Sequence, residues 1–201
     1  MYALVESGSI TSFPKGNKGI NIGDLQYPAT IFTIWTEAER NAIGVYTVEI
    51  DNTNRKDEKW YINTDITYAF SDGKVTGSYG TATAKAHADS TYTNDDKTNN
   101  LIPADKDVGD LKTEGLKTVL IRQLKAQVES ILNKTDWYVT RKAEKSTAIP
   151  SSIATHRDAV RTKQAEMETA ITNASDTAAL ETLYTRNGSG VRPLGDLPTL
   201  S

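Results

Sequence analysis

The period of the apolar residues changes part-way along this 201-residue chain, and that change restricts the fold more than any other feature. Up to about residue 83, apolar and polar residues alternate between closely spaced turns, the pattern of short strands. From about residue 110 they recur at three- and four-residue steps, the pattern of amphipathic helices. A strand half followed by a helix half predicts an α+β fold. The expected architecture is a small antiparallel β domain with a short helix, then a helical hairpin or bundle. The polar stretch 84–109 lacks periodicity, which places the boundary near residue 105. The expected domains are 1–104, the β domain ending in a polar linker, and 105–201, the helical domain with an extended tail.

Within the first half, Tyr2–Val5 and Ser9–Phe13 flank Glu6-Ser7-Gly8, a hairpin signal. Ile20 and Ile22, then Leu25 and Tyr27, predict a second hairpin around Gly23-Asp24. Pro14 and Pro28 cannot donate to a sheet ladder and mark edges or exits. Thr36 and Glu39 form a capping box, predicting a helix from Glu37 to about Ile43 with Gly44 as its stop. Val45–Ile50 reads as a strand, and Asp51–Lys59 as turn. Trp60–Phe70 alternates most clearly, which predicts one strand with a buried face. Ser71-Asp72-Gly73 then turns the chain back.

In the second half, Asp110 is a candidate cap for a helix reaching Asn133. Leu116, Leu120, Leu124, Val128 and Leu132 are spaced four apart, so their direction drifts about 40° per step around the axis. Two covering elements are therefore expected, one of which can belong to another chain. A further helix is expected from Ser151 or Ser152, after Ile149-Pro150, to about Asn173. Its seam of Ile153, Val160, Met167 and Ala174 is bordered by His156, Arg157 and Gln164. Ser175-Asp176 caps a last short helix. The tail through Pro193, Gly195 and Pro198 to Ser201 is extended and needs a surface to lie on.

Composition removes several classes of function. The chain has no cysteine and two histidines, His87 and His156, so a disulfide framework, a thiol nucleophile and a multi-histidine zinc cage are excluded. Net charge is -3. Residues 1–104 carry 9 basic and 13 acidic side chains, and the remainder 14 and 13, so neither half is a nucleic-acid surface by bulk charge. Met1-Tyr2-Ala3-Leu4-Val5-Glu6 has neither a basic flank nor a long apolar run, so no signal peptide is expected. No apolar run reaches the roughly 20 residues of a membrane span.

Catalytic signals are weak. Gly188-Ser189-Gly190 lacks the lysine and flanking elements of a phosphate loop. Asp95, Asp96, Asp105 and Asp107 lack calcium-loop spacing and read as a solvated acidic loop. His87 near Asp89 and His156 near Asp158 are sequence neighbours without an activated serine. No cofactor is expected. The basic cluster of Arg141, Lys142, Lys145, Arg157, Arg161 and Lys163 is denser. Arg157 and Arg161 are four apart and share a helix face. They can grip carboxylates on a partner, form a plain exposed helix face, or pair internally with Asp136 and Glu144. Trp137 follows a Thr135-Asp136 cap. It reads as a core residue, whose truncation would cost about 3–5 kcal/mol, as an interface anchor, or as both at once.

Thr135-Asp136-Trp137, Arg141, Ile149-Pro150, His156-Arg157 and Val160-Arg161 together resemble a pattern in small tailed-phage proteins encoded beside tail-fibre genes. That group includes tail-fibre assembly chaperones and related tail proteins. His156 stands where tyrosine is usual. Met1–Glu6 with Gly8, Trp35–Glu39 and Ile43–Tyr46 also resemble the small β domain that opens many of them. The resemblance implies no catalytic residues and no enzyme activity. It implies contacts with other phage tail or fibre proteins, multiple copies in a symmetric assembly, and no nucleic-acid or membrane partner. The implied location is the virion tail, and the host cytoplasm during assembly. The expected function is an adaptor at the baseplate or fibre root, with Trp137, Arg141, Ile149, Pro150, His156, Arg157 and Arg161 as partner-binding residues. A transient assembly chaperone and a phage hydrolase are the alternatives.

Overall fold

A computed structural model describes residues 1–200 and divides the chain into two compact units, 1–83 and 84–201. The expected α+β class is observed, with a β-sheet in the first unit and helices in the second.

In the first unit, β1 (Tyr2–Glu6) and β2 (Ser9–Ser12) form a hairpin, and β3 (Ile20–Ile22) pairs with β4 (Leu25–Tyr27) in another. A single 3-10 turn, Ala29–Phe32, precedes α1 (Glu37–Ala42). The Thr36–Glu39 capping box forms in both directions. β5 (Val45–Asp51), β7 (Ile66–Ser71) and β8 (Lys74–Tyr79) complete a five-stranded sheet in the order β2-β1-β5-β8-β7. Ser7-Gly8 and Asp72-Gly73 both take positive φ, the geometry that matches a two-residue turn to strand twist. One pairing departs from the expected antiparallel sheet: β5 runs parallel to β8, because the segment between them crosses over before β7 pairs.

Both sheet faces carry core. Ala3, Val5, Val48 and Val75 cluster on one face with Tyr46, Tyr68 and Phe70 around them. The edge strands β2 and β7 meet over this cluster, and Phe13 packs on Tyr68 with ring centroids 4.7 Å apart. Leu4, Val45, Ile31 and Phe32 fill the other face. The single strand expected over Trp60–Phe70 is broken. Tyr61–Ile62 is a separate short strand, β6, paired with β9 (Thr83–Ala84). The Asn63 side chain donates to Lys56 O and accepts from Lys56 N–H, and Thr64 Oγ accepts from Gly80 N–H. These bonds turn the chain between β6 and β7. Ile62 is left exposed while Trp60 and Tyr61 are buried.

The second unit begins earlier than the composition shift near 105. β10 (Ser90–Thr91) pairs with β11 (Leu111–Thr113), and Leu116 and Lys117 N–H donate to Ala86 and His87 carbonyls. These bonds hold 84–104 to the helical half. Asn94–Asn100 is not simply a solvated loop. Thr93 and Asp96 form a capping box that starts α2 (Asn94–Thr98), and Asp96 is buried against Lys112 Nζ at 2.5 Å.

The first long helix, α3 (Leu116–Asn133), starts six residues after Asp110, because 111–113 are committed to β11. Its cap comes from elsewhere in the chain. Asp89 accepts from Gly115 N–H at 2.6 Å and from Thr118 Oγ at 2.8 Å. A Cβ on Gly115 would lie 2.3 Å from the Ala88 carbonyl carbon, so only glycine admits this approach.

α5 (Ser151–Asn173) runs antiparallel to α3, with Lys117 Nζ reaching Thr172 O at one end and Arg157 reaching Leu132 O at the other. Leu120, Leu124 and Val128 are buried in α3, and Ile153, Arg157, Val160, Met167 and Ile171 in α5. Neither Ser151 nor Ser152 caps α5; Pro150 occupies the N-cap without a side-chain bond. α4 (Asp136–Lys145) joins the pair, and α6 (Thr177–Tyr184) follows, capped by Asp176 as expected.

The tail lies on these helices. Leu194 is buried and its N–H donates to Leu183 O. Arg192, Asp196 and Leu197 line a groove with Ala126, Gln127, Ser130 and Ile131 of α3. α3 thus packs on α5, and it lines the tail groove with residues that lie off the Leu116–Leu132 stripe. Ser201 lies outside the described residues.

Candidate protein-docking surface

The seven residues marked in the sequence separate into distinct environments. Arg157 sits in the buried stripe of α5, because 153, 157, 160, 164, 167, 171 and 174 follow alternating four- and three-residue steps. Its side chain is 8% exposed. Its Nη1 lies 2.8 Å from Leu132 O, 2.7 Å from Thr135 Oγ and 2.8 Å from Asp136 Oδ1. Thr135 Oγ donates in turn to Leu132 O at 3.0 Å. Arg157 therefore ties the end of α3 to the start of α4 within this chain, and its guanidinium is not held out to a partner. Internal pairing with Asp136, one of the three readings open in the sequence, is the one observed for Arg157.

Arg161, one turn further along, is exposed and 3.6 Å from Asp158. The two arginines do not share a surface. Ile149 is half-buried and Pro150 exposed where the chain enters α5. His156 is half-buried in a shallow cleft with Ser152, Thr155, Thr199 and Leu200, beside the end of the tail.

Trp137 and Arg141 remain together, on α4. Trp137 is 52% exposed, so it is not a core residue. Its ring centroid is 3.8 Å from that of Tyr138, and the Arg141 guanidinium lies 4.6 Å from the Trp137 ring and 5.2 Å from that of Tyr138. A four-residue step places Arg141 over Trp137 on one helix face. None of the ten residues of α4 is buried. A helix of a folded domain ordinarily hides an apolar stripe; α4 instead leaves Trp137 largely in solvent, with Tyr138 half-buried beside it. Tyr138 was not singled out in the sequence, although its three-residue step to Arg141 was the available signal.

Titratable neighbours elsewhere have structural duties. Asp89 gives both carboxylate oxygens to the α3 N-terminus, which holds its carboxyl below the usual range, with the Gly115 N–H as the main cause and Thr118 second. Asp96 is held at about 2, first by Lys112 and then by Thr93. Among the described residues, no three histidine or acidic side chains gather in a metal-binding group. No described helix is long and apolar enough to cross a membrane.

Comparison of the chain with protein-family profiles, curated proteins and solved structures finds no match.

Proposed function

We propose that this chain is a bacteriophage tail protein, an adaptor at the baseplate or tail-fibre root that grips another tail polypeptide. The observation that carries the reading is α4. It exposes Trp137, with half-buried Tyr138 and Arg141 against its ring, on a helix with no fully buried residue. Tryptophan, tyrosine and arginine dominate the energetics of protein interfaces. The resemblance of Thr135-Asp136-Trp137 and Arg141 to tail-fibre-associated proteins supplies the biological setting. On the first unit, Leu25 and Ile34 are exposed and offer a second apolar contact.

The mechanism is mechanical. Arg157 fixes the start of α4 against α3 and α5, so that the aromatic pair is presented from an ordered helix. A pre-ordered anchor reduces the entropy lost on docking. Repetition of the same contact around a symmetric tail would multiply its strength.

Quantitative mass spectrometry of purified particles tests the reading. An adaptor is present in stoichiometric amount. A chain found with fibre protein in lysates but missing from particles is an assembly chaperone, and the adaptor reading fails.

A further inference from the structure

The Arg141 side chain is charged, oriented and unspent. Its face lies against Trp137 and Tyr138. Its Nε is shielded from solvent and donates to nothing, and the guanidinium makes no ion pair among the described residues. The acidic residues nearest in sequence do not neutralise it. Asp136 is engaged by Arg157, and Glu144 makes no ion pair with Arg141 among the described residues, while Lys134, Lys142 and Lys145 add positive charge to the same stretch of sequence. The stretch from Lys134 to Lys145 therefore combines a surplus of positive charge with one exposed ring, Trp137, and one half-buried ring, Tyr138.

We propose that this face of α4 binds an acidic polypeptide segment in which a carboxylate neighbours an apolar side chain. The inference rests on the adaptor reading and adds the chemistry of its partner. An aspartate or glutamate carboxylate accepts two parallel N–H bonds from a planar guanidinium. Stacking on the rings pre-orients that guanidinium, and the flat Trp137–Tyr138 surface takes the adjacent apolar side chain. A nucleic acid fits less well. It needs cations aligned along successive phosphates, and its polyanionic field meets a chain whose net charge is -3.

The test uses the full chain, labelled with ¹⁵N, with the Trp137 indole resonance assigned by its loss in Trp137→Phe. Three probes are titrated: a soluble peptide of repeated Gly-Asp-Leu-Glu, the same peptide with Asn and Gln for its acids, and oligothymidylate. The acidic peptide should shift the Trp137 resonance, and the amide peptide should bind roughly tenfold more weakly. Arg141→Gln should abolish the difference between the two peptides while keeping the wild-type melting temperature. Arg141→Lys should restore only part of it, because an ammonium lacks the paired donors. Equal binding of acidic and amide peptides overturns the proposal. So does oligothymidylate binding as tightly as the acidic peptide, concentration-dependent self-association that perturbs Trp137 without any probe, or an unmoved resonance at millimolar acidic peptide. A chain present in particles that ignores the acidic peptide refutes this chemistry alone. A chain that binds the peptide but is missing from particles refutes the adaptor reading alone.

Discussion

Arg157 Nη1 stands 2.8 Å from Asp136 Oδ1, and the two ends of this bond differ in solvation: the arginine side chain is 8% exposed and the aspartate 49%. Leu132 O and Thr135 Oγ share the same nitrogen. The arginine is therefore the structural member, and the aspartate is one of three acceptors. Arg157→Ala removes the buried stem and orphans the acceptors, for an expected cost of about 2–4 kcal/mol. Asp136→Asn leaves two acceptors in place and should cost about 1 kcal/mol. Urea unfolding followed by helical circular dichroism compares them; equal costs would contradict this division of roles.

Asp96 makes folding sensitive to acid. Its folded-state value of about 2, against an ordinary 3.8, means the unfolded chain binds a proton more readily. The stabilisation is fully present above pH 3.8 and is lost as pH falls through about 2. Asp96→Asn should accordingly be less stable than wild type at pH 6, with the gap closing towards pH 2. Unfolding midpoints across that range check the sign, and a gap that widens in acid refutes it.

Gly115→Ala forces a Cβ into the backbone at Ala88–Asp89, where neither side can yield as a side chain would. The expected cost is roughly 1–3 kcal/mol. Asp89→Ala should also lower the melting temperature, by removing the acceptor that the Gly115 N–H and Thr118 hydroxyl share. Hydrogen exchange should localise both effects to the first turn of α3. Unchanged protection there would show that the helix does not depend on this remote cap.

Trp137→Ala should change stability by less than about 1 kcal/mol, because the side chain is half in solvent and no residue of α4 is fully buried. This replaces the cost expected of a core tryptophan. A loss of 3 kcal/mol in thermal or urea unfolding would return Trp137 to the core.

Local signals were legible where their chemistry is local. The Thr36–Glu39 box, the Ser7-Gly8 and Asp72-Gly73 turns and the Asp176 cap all read directly from neighbouring residues. The Thr93–Asp96 box obeys the same logic but hid in a polar run, with aspartate where glutamate is usual. The start of α3 was misplaced because Leu111 continues an apolar pattern, whereas Asp89, the residue that caps the helix, lies 26 positions before Gly115. Pairing of 90–91 with 111–113 is likewise non-local, and it moved residues 84–104 into the second unit. At the candidate site, Trp137 follows a cap signal and Arg141 belongs to a basic cluster, but only the structure joins them across one helical turn. The fate of Arg157 was not, since a seam position predicts burial but cannot choose between an internal carboxylate and a partner's.

Particle incorporation of Arg141→Gln separates a partner-gripping α4 from an idle one, because this change removes the guanidinium and leaves the buried stripes of α3 and α5 intact. Virions assembled with the variant as the sole copy, then quantified by mass spectrometry, should contain far less of the chain than wild-type virions, with the soluble variant folded normally. Wild-type incorporation of the variant would contradict the account.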